Sequence, residues 1–147
     1  MDKAVQGATF VVHSASPVPY REPPKDVGLK VIKTAVEGVL SVMRAAEKAG
    51  TVKRFVLTSS IAAIRDFAPE KRLPAGTPYT EEHWSDIEYQ EKIARYKVSK
   101  TLQEKAAWEF VKNMSPERKF ELVALNPSLL VGKSLCKNQT NTSIMML

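Results

Sequence analysis

Residues 54–60 read RFVLTSS: three apolar residues, Phe55, Val56 and Leu57, run directly into three hydroxyl residues, Thr58, Ser59 and Ser60. The run is too short for an ordinary helix and follows a short turn, so it reads as a strand buried on both faces and ending in small polar groups. Upstream, from about Val27 to Ala49, apolar residues recur at Val31, Ile32, Ala35, Val36, Val39, Leu40, Val42, Met43 and Ala46. That is close to helical spacing, and Gly50 supplies the stop. Before it, ATFVVHSAS (8–16) is another short valine-rich run, followed by a proline-rich loop, PVPYREPP (17–24).

Downstream, residues 61–88 carry Pro69, Pro74 and Pro78 and little periodicity, which in a compact domain marks a functional excursion. Thr80 or Ser85 is placed to cap a short helix at its end. A second strong helix is expected from about Tyr89 to Asn113, and KFELVALNPSLLVG (119–132) supplies a third buried strand stopped by Asn126-Pro127. The order is strand, helix, strand, loop, helix, strand. Such a unit forms a parallel sheet flanked by helices, an α/β fold, because right-handed crossovers bring successive strands side by side. No repeat or composition shift marks a second domain, so residues 1–147 are expected to form one.

Ligands of open parallel sheets lie beyond the carboxyl ends of the strands. Here those ends are HSASP, TSS and NPS, all small or polar, and their convergence is the strongest argument for a ligand site that the residues make by themselves.

Bulk properties narrow the partners. The 147 residues are 44% hydrophobic and 26% charged, with a formal net charge of +6. That charge suits a nucleic acid, an anionic membrane surface or a phosphate-bearing cofactor. The basic residues are scattered, the densest cluster being Lys71–Arg72, and no aromatic residues interleave with them, so no nucleic-acid partner is expected. No stretch reaches the ~18 apolar residues of a membrane span, and MDKAVQGATF lacks the form of a signal peptide. The single cysteine, Cys136, allows no intrachain disulfide and fits a reducing compartment. The reading is cytoplasmic, and the Asn138 and Asn141 glycosylation patterns are read as chance.

Tyr96 and Lys100 stand at i and i+4, on one face of the second helix. A lysine ammonium beside a phenol favours the phenolate, so Tyr96 is expected below its reference pKa of ~10, as a usable proton donor and acceptor. Taken alone, the spacing also occurs by chance in many helices. Ser59 and Ser60 end the preceding strand, where a hydroxyl can donate to a substrate carbonyl or simply satisfy backbone groups. Ser60 lies 36 residues before Tyr96 (96 − 60), and the combination is more specific than either part. His13, beside the expected crevice, reads as a packing or hydrogen-bonding residue rather than an acid or base. No His, Cys or carboxylate grouping has metal-ligand spacing, so no metal is expected.

The stretches FVVHSASPV, RFVLTSSIAAI, YKVSKTLQEKAAWEF and FELVALNPSLLVG, in that order and with those gaps, resemble the extended short-chain dehydrogenase/reductases. They are most similar to the branch holding dihydroflavonol reductases, cinnamoyl-CoA reductases and the yeast-type ketone and methylglyoxal reductases. The resemblance implies a partial Rossmann-like NAD(P)-binding domain that reduces a ketone or aldehyde, with NADP as cofactor and NAD possible. It implies Ser60 as the residue that polarises the carbonyl, Tyr96 as the acid, and Lys100 as the residue that lowers the tyrosine pKa and holds the nicotinamide ribose. It further implies that Ala15, Ser16 and Pro17 pass under the cofactor's ribose and diphosphate, that Thr58 and Ser59 line the nicotinamide, and that Pro127 and Ser128 set its face. His83 and Trp84 would lie at the surface near the substrate mouth.

Two features of the same family find no counterpart among these residues. The six glycines include no G-x-x-G-x-x-G for the diphosphate, and NTSIMML (141–147) reads as the opening of an apolar helix. A segment of a longer reductase is therefore expected, the alternatives being a non-catalytic fragment that needs a partner subunit, or a nucleotide-sugar epimerase or dehydratase of the same superfamily.

Overall fold

The computed structural model of the chain describes residues 1–19, 24–66 and 68–130. Cys136, Asn138, Asn141 and the NTSIMML end lie outside them. The elements are α1 (Asp2–Val5), β1 (Phe10–His13), α2 (Lys25–Ala49), β2 (Arg54–Thr58), α3 (Ile61–Ile64), α4 (Ile87–Ile93), α5 (Arg95–Lys112) and β3 (Glu121–Leu125). The three strands form a parallel sheet in the order β1-β2-β3. Val12 pairs with Val56 and Val56 with Val123, so the carboxyl ends line up as expected.

Both long helices pack against the same face of the sheet and against each other. Successive strand residues point to opposite faces, and the alternation sorts the core cleanly. Phe55, Leu57 and Leu122 are buried with Val39, Met43, Ala107, Val111 and Phe120, and the Phe55 and Phe120 rings stack at 5.8 Å. The opposite face carries Phe10 and Val12, exposed at 66% and 69%, with Val123 and Leu125 also exposed. This corrects the expectation of strands buried on both faces: among the described residues every helix against the sheet lies on one side, so only one of the two apolar faces is covered.

α2 ends as its sequence requires. Gly50 takes a left-handed conformation (φ 67°), open to glycine without a Cβ penalty, and its N–H donates to the Ala46 carbonyl at 3.2 Å. Gly28, near the other end, has no Cβ, and the stem of Arg95 fills that place: a Cβ there would meet Arg95 Cγ at 2.5 Å.

The helix expected over Tyr89–Asn113 is two helices. Ala94 is extended (φ −166°, ψ 120°), closing α4 and opening α5. No proline or glycine marks that break; docking does. Gln90 of α4, fully buried, donates to the Ala62 carbonyl at 2.6 Å and accepts from the Thr101 hydroxyl at 2.9 Å, while α5 is seated on α2 and the sheet. The cap of α4 is Asp86, whose carboxylate accepts from the Tyr89 N–H at 3.1 Å, rather than Thr80 or Ser85. Ser85 instead faces inward, its hydroxyl against the Ala62 and Arg65 carbonyls at 2.8 and 2.6 Å. The long 61–88 segment is thus tied back onto α3.

Candidate active site

β2 ends at Thr58 because the chain must turn there into α3, and Ser60 makes the turn. Its backbone is extended and its hydroxyl oxygen accepts from the Ala62 N–H at 3.1 Å, an N-cap. Backbone bonds join this turn to the end of β3: Ser59 N–H donates to Leu125 at 2.8 Å and Ile61 N–H to Pro127 at 3.0 Å. Asn126 adds a side-chain bond, Nδ2 to the Ser60 carbonyl, at 3.1 Å. The TSS and NPS ends of β2 and β3 are therefore one hydrogen-bonded unit.

α5 brings Tyr96 and Lys100 to it. A hydrogen bond with Ser60 stabilises the Tyr96 phenolate, but half-burial of the ring acts more strongly in the other direction, and the Tyr96 pKa lies above its ordinary value. The expected lowering of Tyr96 by Lys100 is not what this structure shows, and the reason is geometric. The Lys100 ammonium, 3% exposed, is turned to the strand end, donating to the Thr58 carbonyl at 3.0 Å and to Gln103 Oε1 at 3.3 Å. Burial brings its own pKa down to about 8, opposed by the nearby Glu104 carboxylate.

Ser59 is the residue whose surroundings differ most from the expected ones. Its side chain does not face the crevice: it is buried and donates to Glu104 Oε2 at 2.5 Å, behind Ser60. Ala15, Ser16 and Pro17 follow β1 at the same end of the sheet, and Ser128 is exposed just beyond Pro127. His13 packs on Phe55 with ring centroids 6.1 Å apart, and burial, then the charge of Lys100, lowers its pKa, which leaves it neutral at pH 7. His83 sits in a turn beside Tyr79, and Lys105 stands over the Trp84 ring at 5.1 Å.

Gln103, Glu104 and Asn126 were not picked out by motif. Their signal lies in the helix pattern: the buried stripe of α5 includes Ser99, Lys100, Thr101, Gln103 and Glu104, a polar set where packing alone would place apolar side chains. Buried polar groups at such positions need partners, and theirs come from both strand ends and α2. Three buried polar atoms at this end of the sheet have no partner among the described residues: His13 Nε2, Ser16 Oγ and Asn126 Oδ1. They can take hydrogen bonds from a hydroxyl-rich ligand. Among the described residues no group of three His, Cys, Asp or Glu side chains is disposed to hold a metal. Nor is any helix there long and apolar enough to cross a membrane.

The whole of this arrangement can be set beside known proteins. The family model for the NAD dependent epimerase/dehydratase family matches residues 1–147. Dihydroflavonol 4-reductase of Gerbera hybrida is 40% identical over 135 residues, 89% of this chain and 34% of that protein. Tetraketide alpha-pyrone reductase 1 of Arabidopsis thaliana is 37% identical over 146 residues, 97% of this chain and 41% of that protein. Among solved structures, yeast methylglyoxal/isovaleraldehyde reductase Gre2 complexed with NADPH superposes with a TM-score of 0.79 at 33% identity, covering 97% of this chain and 44% of that one. The chain thus spans 34% to 41% of the length of these two curated relatives.

Proposed function

The chain belongs to the NAD dependent epimerase/dehydratase family, and from that membership we propose that residues 1–147 form the catalytic part of an NADPH-dependent reductase, with NAD possible, converting a small ketone or aldehyde to an alcohol. One observation carries the reading: the end of β2, where Ser60 caps α3, is held to α5 by the Lys100 ammonium on the Thr58 carbonyl at 3.0 Å, one turn from Tyr96, whose phenolate the Ser60 hydroxyl favours. The reductase names of the relatives, and the NADPH bound by Gre2, support it.

The residues fit the nicotinamide end of such a cofactor. Ser16 Oγ is buried with no partner among the described residues, and there the Lys100 ammonium uses two of its three donors on Thr58 and Gln103, so both have capacity for ribose hydroxyls. Ala15, Pro17, Thr58, Pro127 and Ser128 would complete the wall around it, with Ser59 supporting from behind. When bound, the nicotinamide supplies the hydride.

The chain's own part is proton and charge management. Ser60 already accepts from the Ala62 N–H, and turning its one O–H from the Tyr96 oxygen to a carbonyl oxygen would polarise that carbonyl. Tyr96, with its pKa raised, is protonated at neutral pH and so is ready to give its proton to the same oxygen as negative charge develops there. The phenolate left behind is stabilised by the Ser60 hydroxyl once the product oxygen has taken its proton. In the full protein, following NADPH oxidation with small ketones and aldehydes, Tyr96→Phe should lower turnover by ~10²–10⁴-fold with the fold intact. Parent turnover by that variant would sink the assignment.

A second reading is favoured by the uncovered sheet face, with Phe10, Val12, Val123 and Leu125 exposed together. On it, the 147 residues are a segment that binds no cofactor until further protein packs on that face. Calorimetric titration of the isolated chain with NADPH separates the two, since micromolar binding by it alone counts against this second reading.

A further inference from the structure

A carboxylate that is 1% exposed sits in the middle of the site without touching any reacting group. Glu104 lies one turn beyond Lys100 and is the hub of the surrounding bonds. Its Oε2 accepts from the Ser59 hydroxyl at 2.5 Å and from Asn126 Nδ2 at 2.8 Å, and its Oε1 accepts from Trp108 Nε1 at 3.3 Å. Ser59 immediately precedes Ser60, and the same Asn126 amide also holds the Ser60 carbonyl at 3.1 Å. One oxygen atom therefore joins the ends of β2 and β3 to the helix that carries Tyr96 and Lys100.

We propose that Glu104 is a positioning residue: its buried carboxylate, one turn along the helix from Lys100, clamps both strand ends to α5 and keeps that ammonium charged beside the strand end. What the clamp serves rests on the reductase reading; that it exists and acts on Lys100 does not. A brace alone would not require a charge here. A buried glutamine could satisfy the same hydroxyl and amide donors without desolvating a carboxylate, which is unfavourable unless an opposite charge or charge-assisted hydrogen bonds compensate. Lys100, one turn back along α5, supplies that opposite charge. The titratable groups acting on Lys100 or acted on by it are His13 from β1 and Glu104 from its own helix; β2, β3 and α2 contribute neutral groups, through Thr58, Asn126 and the Ala35 carbonyl that holds Gln103 at 3.2 Å.

The test uses the full protein without cofactor first. Lysine side-chain carbon NMR, with the Lys100 signal assigned by its loss in Lys100→Met, follows the ammonium through its titration. Glu104→Gln should lower the Lys100 midpoint by ~0.5 pH unit or more, whereas Glu104→Asp, which keeps the charge, should leave it near the parent value. Under steady-state reduction with NADPH, both variants should lose about tenfold or more in kcat with KM changed little, because the strand ends are no longer held in register. In Glu104→Gln alone, the alkaline limb of the rate profile should also move to lower pH. If both variants fold with parent kcat and an unmoved Lys100 midpoint, and only the melting temperature falls, Glu104 is a structural brace and the proposal is overturned. Should Glu104→Gln fail to fold, Ser59→Ala decides: it removes one arm of the clamp and keeps the charge, so kcat should fall with the Lys100 midpoint unchanged, and parent kcat would overturn the proposal. Full turnover by Tyr96→Phe would remove the reductase reading and leave the Lys100 titration to decide on Glu104 separately.

Discussion

Replacing Lys100 with methionine should change how stability depends on pH in a way that no surface lysine would. The side chain is 3% exposed, and its pKa falls from an ordinary 10.5 to about 8 because burial disfavours the ammonium more than Glu104 favours it. At about 1.4 kcal/mol per pH unit, that depression corresponds to about 3 kcal/mol of unfavourable free energy in holding the charged form in the folded protein. The sign follows from proton counting. Below pH 8 the lysine is charged in both states, so this contribution is constant and the penalty is fully present. Between about 8 and 10.5 the unfolded chain keeps the proton that the folded one has released, so stability rises with pH; above 10.5 the penalty is gone. The measurement is urea unfolding of parent and Lys100→Met between pH 7 and 10.5, taking the difference of the two free energies at each pH. Tyr96 and the other titrating groups are common to both proteins and largely cancel in that difference. The parent should gain on the variant by about 3 kcal/mol across this window. A flat difference from pH 7 to 10.5 would refute the reasoning, since it would mean that Lys100 is either solvated or fully compensated when folded.

Two further predictions concern the frame that carries the site. Phe55 is fully buried and stacked on Phe120 at the centre of the core, so Phe55→Ala should cost ~3–5 kcal/mol by denaturant unfolding, and a loss under 1 kcal/mol would show that the sheet does not pack on α2 and α5 as described. At Gly28 a Cβ would meet Arg95 Cγ at 2.5 Å and Cδ at 3.1 Å, so Gly28→Val should destabilise by about 1–3 kcal/mol and lower the melting temperature; an unchanged melting temperature would mean that α2 does not seat the start of α5 there.

Local chemistry was enough to read the strand and helix order. The strands within RFVLTSS and ATFVVHSAS and the long helix stopped by Gly50 follow from apolar periodicity and turn residues, whose preferences act over a few residues, and the alternation of strand and helix points to a parallel sheet, whose order β1-β2-β3 the structure supplies. Helix spacing likewise singled out Tyr96 and Lys100 before any geometry, the strand end offered Ser59 and Ser60, and the family resemblance chose Ser60. It could not say where the Lys100 ammonium would point. Residues at i and i+4 share a helix face, but a flexible four-carbon stem goes to the best acceptors within reach, here the Thr58 carbonyl and Gln103.

What only the tertiary structure decided lies where one element meets another. The break at Ala94 carries no proline or glycine and arises because Gln90 docks α4 on α3 while α5 docks on α2. The one-sided burial of the sheet could not be read from strands whose alternate residues are apolar on both faces, because composition states what can be buried and only the packing partner states what is. Glu104 and Asn126 became visible for the same reason: a glutamate in a helix and an asparagine after a strand are ordinary in sequence, and they acquire meaning when folding brings Ser59, Asn126 and Trp108 onto one carboxylate. The sequence determined which side chains are available at the strand ends and on α5, and the packing of α5 against the ends of β2 and β3 decided which groups hold them in place.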